Sequence, residues 1–198
     1  MSATTAYAEA SVDFGGAPIA DLAILIGLGI FFFLGVLQGS IRRLLGIAAM
    51  FFAFVIAANA RGPVGDLLAD NWRQFDFGYN HLLAFIIVFL VVVVVLNIII
   101  QVAYKRTDIS ARNPIVDDAL GALLGLVEGF LLLLYVVIIL NSFQLPAAGS
   151  GDVTQLRDVQ NAVVNHSHIA RFLQENIAPV FVHLFGILLP ADLVKLYN

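Results

Sequence analysis

The sequence predicts an all-α membrane protein, four transmembrane helices followed by short amphipathic C-terminal helices, and three observations carry that prediction. Hydrophobic residues make up 61% of the 198 positions and charged residues only 12%, far above the roughly 45–50% apolar content of a soluble domain. Four apolar stretches are long enough, with their flanks, to cross about 30 Å of hydrocarbon at about 1.5 Å per residue. Glycines recur every fourth residue in the last of them, at Gly121, Gly125 and Gly129. Lipid tails compete equally well for apolar side chains, so such a face is useful mainly where another backbone approaches.

Residues 1–20 are small, polar and acidic, with no Lys or Arg before the first apolar run. They read as a flexible extracytoplasmic N-terminus and lack the basic region of a cleaved signal peptide. Asp21 opens the first span, where a carboxylate suits the unpaired amides of its own helix. Leu22 to Leu37 is that span, and Gln38 to Arg43 makes a short basic turn. Leu44 to Ala60 is the second span, and Gly62–Pro63 is expected to end it. Gly65 to His81 is then a polar, aromatic loop suited to the headgroup layer.

Leu82 to Ala103 is the most hydrophobic span, with Asn97 and Gln101 on one face, able to hydrogen-bond a neighbouring helix. A second basic turn, Lys105 to Arg112, leads to the fourth span. Residues 21–145 thus form the transmembrane domain. Residues 146–198 begin with a Gly, Ser and Ala-rich linker and continue as an amphipathic tail lying on the membrane or folded against the bundle. Ser167 is a candidate helix cap there, and Pro179 is expected to break the helix.

The turns between spans one and two and between spans three and four hold Arg42, Arg43, Lys105, Arg106 and Arg112. The positive-inside rule places these turns in the cytoplasm and both termini outside. Span one then runs inward and span four outward, which brings Gly35 and Gly39 to the same depth as Gly121 and Gly125 and predicts that the two spans pack through their glycines.

The chain resembles the colicin V production protein (CvpA) family of small bacterial inner-membrane proteins. Asp21, the turn Gln38–Gly39–Ser40–Ile41–Arg42–Arg43, and Asp117–Asp118 followed by Gly121, Gly125 and Gly129 carry the resemblance, which extends to Ser167 and the Pro179 to Pro190 region. The family pattern reads approximately Arg-Gly-x-x-Arg-Glu in the turn and Asp-Arg-x-x-Gly-x-x-x-Gly-x-x-x-Gly in the fourth span. This chain has Arg43 in place of the Glu and Asp118 in place of the Arg, a swap of signs that suggests an interfacial pair between Arg43 and Asp118. The resemblance implies a role in colicin V export, toxin biosynthesis and envelope maintenance, without enzymatic activity. A similar membrane domain also precedes a periplasmic serine protease in some bacteria, in keeping with an anchor or scaffold.

No phosphate-binding loop, dinucleotide fingerprint or zinc-binding His spacing is present. The absence of cysteine excludes thiolate catalysis, Cys-based metal sites and disulfides. His166 and His168 point in different directions on a helix and have no partner acid nearby. No cofactor, metal or nucleic-acid partner is therefore expected. Glu128 alone is ionisable deep in the fourth span. One reading makes it a proton or cation site in a channel or transporter, with Asn97 or Gln101 beside it; the other has it hydrogen-bonded to a neighbour in a non-enzymatic scaffold. The expected partners are the bilayer and a membrane or envelope protein, as a homo-oligomer or as a subunit of a larger complex.

Overall fold

The computed structural model describes residues 19–71, 77–105, 114–142, 167–195 and 197. The N-terminal segment, the linker and His166 lie outside the described residues, as does most of the second basic turn. The described residues contain no strand, and four helices among them are long and apolar enough to cross a membrane. These are α1 (Ile19–Gln38), α2 (Ser40–Asn71), α3 (Phe77–Lys105) and α4 (Pro114–Ser142). The principal pairings are α3 on α2, α2 on α4, and α4 on α1.

Between α1 and α2 stands a single residue, Gly39, at φ +74°. Its left-handed conformation ends α1, with the Gly39 N–H donating to the Gly35 carbonyl at 3.2 Å, and lets the chain reverse at once. The end of the bundle that holds Gly39 and the start of α4 is called the turn end here.

Pro63 does not end the second helix: α2 runs 32 residues to Asn71 with Pro63 inside it. Proline removes one backbone hydrogen bond, at about 3 kcal/mol in a helix interior, but the extension lies against α3. Gly65 leaves room for the His81 ring, whose Nδ1 stands 2.5 Å from where a Cβ would be, and His81 Nε2 lies 3.4 Å from Asp66 Oδ1. Most of the predicted surface loop is therefore helix, since packing against a partner overrides a local breaker.

The tail also runs through its proline. Helix α5 (His168–Phe172), a π turn (Leu173–Ile177) and α6 (Ala178–Phe185) follow without a break. The π turn re-registers the hydrogen bonds just ahead of Pro179, which then falls in the first turn of α6, where a missing N–H costs least. A 3-10 turn (Gly186–Leu188) and α7 (Ala191–Lys195) finish the described chain, apart from Tyr197.

The core joins tail and bundle. Phe54 of α2 stacks on Tyr135 of α4, ring centroids 4.2 Å apart. Phe181 of α6 sits edge-on to Phe54 at 6.1 Å, and Phe185 meets Phe51 at 4.7 Å. Leu173, Val182, Leu189 and Leu193 are buried in the same cluster. Asn59 donates to the Leu188 carbonyl at 2.9 Å, and Arg61 is salt-bridged to Asp192. About 28 Å of helix separates Ser40 from Asn59 at about 1.5 Å per residue, close to the hydrocarbon thickness, so the tail lies across the far end of the bundle with its aromatic rings reaching inward. Of the two placements expected for the tail, the structure has it folded against the bundle.

Candidate functional site

Spans one and four meet through glycine. A Cβ on Gly35 would stand 2.2 Å from the Gly121 carbonyl oxygen, one on Gly121 2.4 Å from the Gly35 oxygen, and one on Gly125 2.2 Å from the Phe31 oxygen. No side chain fits at those separations. At Gly129 the nearest atoms belong to side chains, Leu28 and Phe31, at 3.0–3.2 Å, so the two backbones are already diverging there. Further along they enclose a groove of about 170 Å³ lined by Gly27, Leu28, Leu132 and Val136.

Polar contacts lock both ends and the middle of this bundle. At the turn end, Asp117 Oδ1 accepts from the Ser40 backbone N–H at 3.0 Å and from the Ser40 hydroxyl. A carboxylate on α4 thus caps the first turn of α2, against its positive dipole end. The other carboxylate oxygen lies 2.5 Å from where a Cβ on Gly39 would be, so Gly39 is required both by its backbone conformation and by the space that Asp117 fills.

Deeper in, Arg43 Nη1 donates to Glu128 Oε2, and both side chains are nearly buried, 5% and 12% exposed. The guanidinium carbon also lies 6.0 Å from the centre of the Phe31 ring, a cation–π geometry. The expected pair between Arg43 and Asp118 is not formed. Asp118 is exposed, one residue and about 100° around α4 from Asp117, which already faces α2. Arg43 lies a turn inside α2, and side chains on α4 tilt back toward its N-terminus, so Glu128 reaches down to it and to Gly46, where a Cβ would stand 3.4 Å from Glu128 Oε1.

At the far end, Asp21 does not cap its own helix. It accepts from the Ser167 hydroxyl and from the N–H groups of His168 and Ile169, each at 3.2 Å. Ser167 Oγ in turn accepts from the Ala170 N–H at 3.0 Å, the N-cap expected from the sequence. The first residues of span one therefore anchor the start of the tail. Ser167 was legible as a cap; its partner, 146 residues away, left no local signal. Tyr197, which accepts from Asn141 Nδ2 at 3.2 Å, has its phenol pushed up by burial, partly offset by that bond.

Asn97 and Gln101 do not join Glu128. Both are exposed on α3, and Asn97 donates to the Val93 carbonyl of its own helix at 2.9 Å. Helix α3 packs principally on α2, which stands between it and α4, so the two amides point away from Glu128. Among the described residues, no three His, Asp or Glu side chains are grouped to hold a metal ion.

The three-part frame of Asp21, the glycine turn and the glycine face on α4 coincides with a match to the family model for colicin V production protein over residues 20–178. The chain belongs to the colicin V production protein family. The match takes in both partners of the latch, Asp21 and Ser167, and ends at the start of α6. Membership suggests a membrane protein linked to colicin V production. Neither a curated protein nor a solved structure matches this CvpA-family chain.

Proposed function

We propose that this CvpA-family chain is a non-enzymatic scaffold of the bacterial inner membrane, which holds four spans and a docked tail as one body and offers its extracytoplasmic face to another envelope protein. One observation carries the reading: three carboxylates of α1 and α4 each join one element to another. Asp117 ties α4 to α2, Glu128 ties α4 to Arg43 on α2, and Asp21 ties α1 to the tail. A relay or permeation path needs polar groups in series, and Glu128 is engaged by Arg43 while the amides of α3 face elsewhere. The basic turns support placing the turn end in the cytoplasm and the tail outside.

Reconstitution in liposomes tests the scaffold reading. The wild-type chain and Glu128→Gln should give the same proton and cation leak as empty vesicles. A flux that depends on Glu128 would replace the scaffold with a channel. Orientation is read by single cysteines at Ser110 and Ser150: an impermeant thiol reagent on intact spheroplasts should label only position 150, and labelling only at 110 would invert the topology.

A further inference from the structure

Helix α3 is the least enclosed span, with 11% of its most apolar window buried against 39% for α2 and α4. Along its open side, Ile87, Leu90, Val94, Asn97 and Gln101 recur at steps of three and four, and all five are exposed. That is the heptad spacing of a left-handed helix pair, the commonest crossing in membrane bundles. Asn97 lies about 12 Å inside the Lys105 end of the helix at about 1.5 Å per residue, within the hydrocarbon. Its bond to Val93 uses one amide hydrogen and leaves its carbonyl oxygen and second hydrogen to be satisfied. Lipid tails offer no partner for either.

We propose that this seam is the interface to a second copy of the chain, with α3 packed parallel to α3 about a two-fold axis along the membrane normal. The chemistry selects a copy over a different protein. Every copy inserted by the same rule has the same orientation, and the two-fold axis sets Asn97 opposite Asn97 and Gln101 opposite Gln101. A carboxamide is both donor and acceptor, so like pairs with like, and both amides are matched in one register. A lone Asn at such a seam position is a known means of fixing register and pair number in coiled coils. The inference is independent of the scaffold reading, since a channel or a scaffold dimerises equally well through this face.

Disulfide trapping in native membranes tests it directly, because the chain contains no cysteine of its own. Val94→Cys stands at the centre of the seam; Ile99→Cys, equally exposed, lies on the far side of the helix. On mild oxidation Val94→Cys should form a covalent homodimer several-fold faster than Ile99→Cys, and adding Asn97→Leu with Gln101→Leu should slow that trapping several-fold. Light scattering of the unmodified chain in nanodiscs should give the mass of two copies. Equal trapping at both positions, trapping unaffected by loss of the amides, a covalent product with a different protein, or a single copy per nanodisc would each overturn the proposal.

Discussion

The two halves of the bundle are held together in different ways. Toward the turn end, α1 and α4 are in backbone contact through Gly35, Gly121 and Gly125, and Asp117 and Glu128 bind α2 to the same surface. Toward the far end the same two helices diverge around an open groove, and it is the tail that adds contacts there, its Phe181 and Phe185 packing on Phe51 and Phe54 of α2 and on Tyr135 of α4. In lipid there is little hydrophobic drive between helices, so each half needs another source of cohesion. One half uses close approach with charge pairing, and the other uses a fifth element packed over α2 and α4.

The contrast is sharpest if the tail is removed. Deleting residues 151–198 takes Leu173, Phe181, Val182 and Leu193 out of the core. Since losing one large core side chain costs about 2–5 kcal/mol, the truncated chain is expected to lose well over about 5 kcal/mol and to aggregate on detergent extraction. A truncated chain with an unchanged melting temperature would show that the tail is only a cover. The sequence alone left open whether the tail lies on the membrane or against the bundle, because an apolar seam at helical spacing looks the same whether it faces lipid or a protein core.

Within the close-packed half, Gly125→Ala places a methyl where the Phe31 carbonyl oxygen stands 2.2 Å away. Only a shift of backbone relieves that contact, so a loss of about 1–3 kcal/mol is expected. Gly29 on α1 has open space around it, and Gly29→Ala should be neutral or stabilise by up to about 1 kcal/mol. Thermal unfolding in one detergent ranks the pair, and equal melting temperatures would remove the glycine contact from the account. Smaller still is the latch of the other half. Asp21→Ala should cost about 1–2 kcal/mol, as loss of a helix cap does, and should raise amide exchange at His168 and Ile169 while leaving the α1–α4 contact unchanged. Protection at those amides equal to wild type would remove the cap.

What was legible follows the range of each interaction. The spans were readable from hydropathy, and the glycines of spans one and four from spacing and matching depth. Ser167 announced itself by its own local chemistry. The stops expected at Pro63 and Pro179 were misplaced because a proline's local cost was outweighed by packing that only the folded chain supplies. Arg43 was assigned to Asp118 through a pattern of signs along the sequence. Its actual partner depends on how far α2 and α4 slide past each other and on the backward tilt of side chains, neither of which a sequence motif encodes. Asn97 and Gln101 were correctly placed on one face, but which neighbour that face meets is a property of helix order.

The central claim is that the charge inside the membrane is structural, and a mutant cycle on Arg43 and Glu128 tests it most directly. Glu128→Ala leaves a buried guanidinium unpaired and should lower stability by about 3–5 kcal/mol, whereas replacing both residues, Arg43→Met with Glu128→Leu, should recover most of that loss, as apolar replacement of a buried pair commonly does. Melting of the single and double variants in the same detergent gives the coupling. Losses that simply add, with no recovery in the double variant, would contradict the account and free Glu128 for another role.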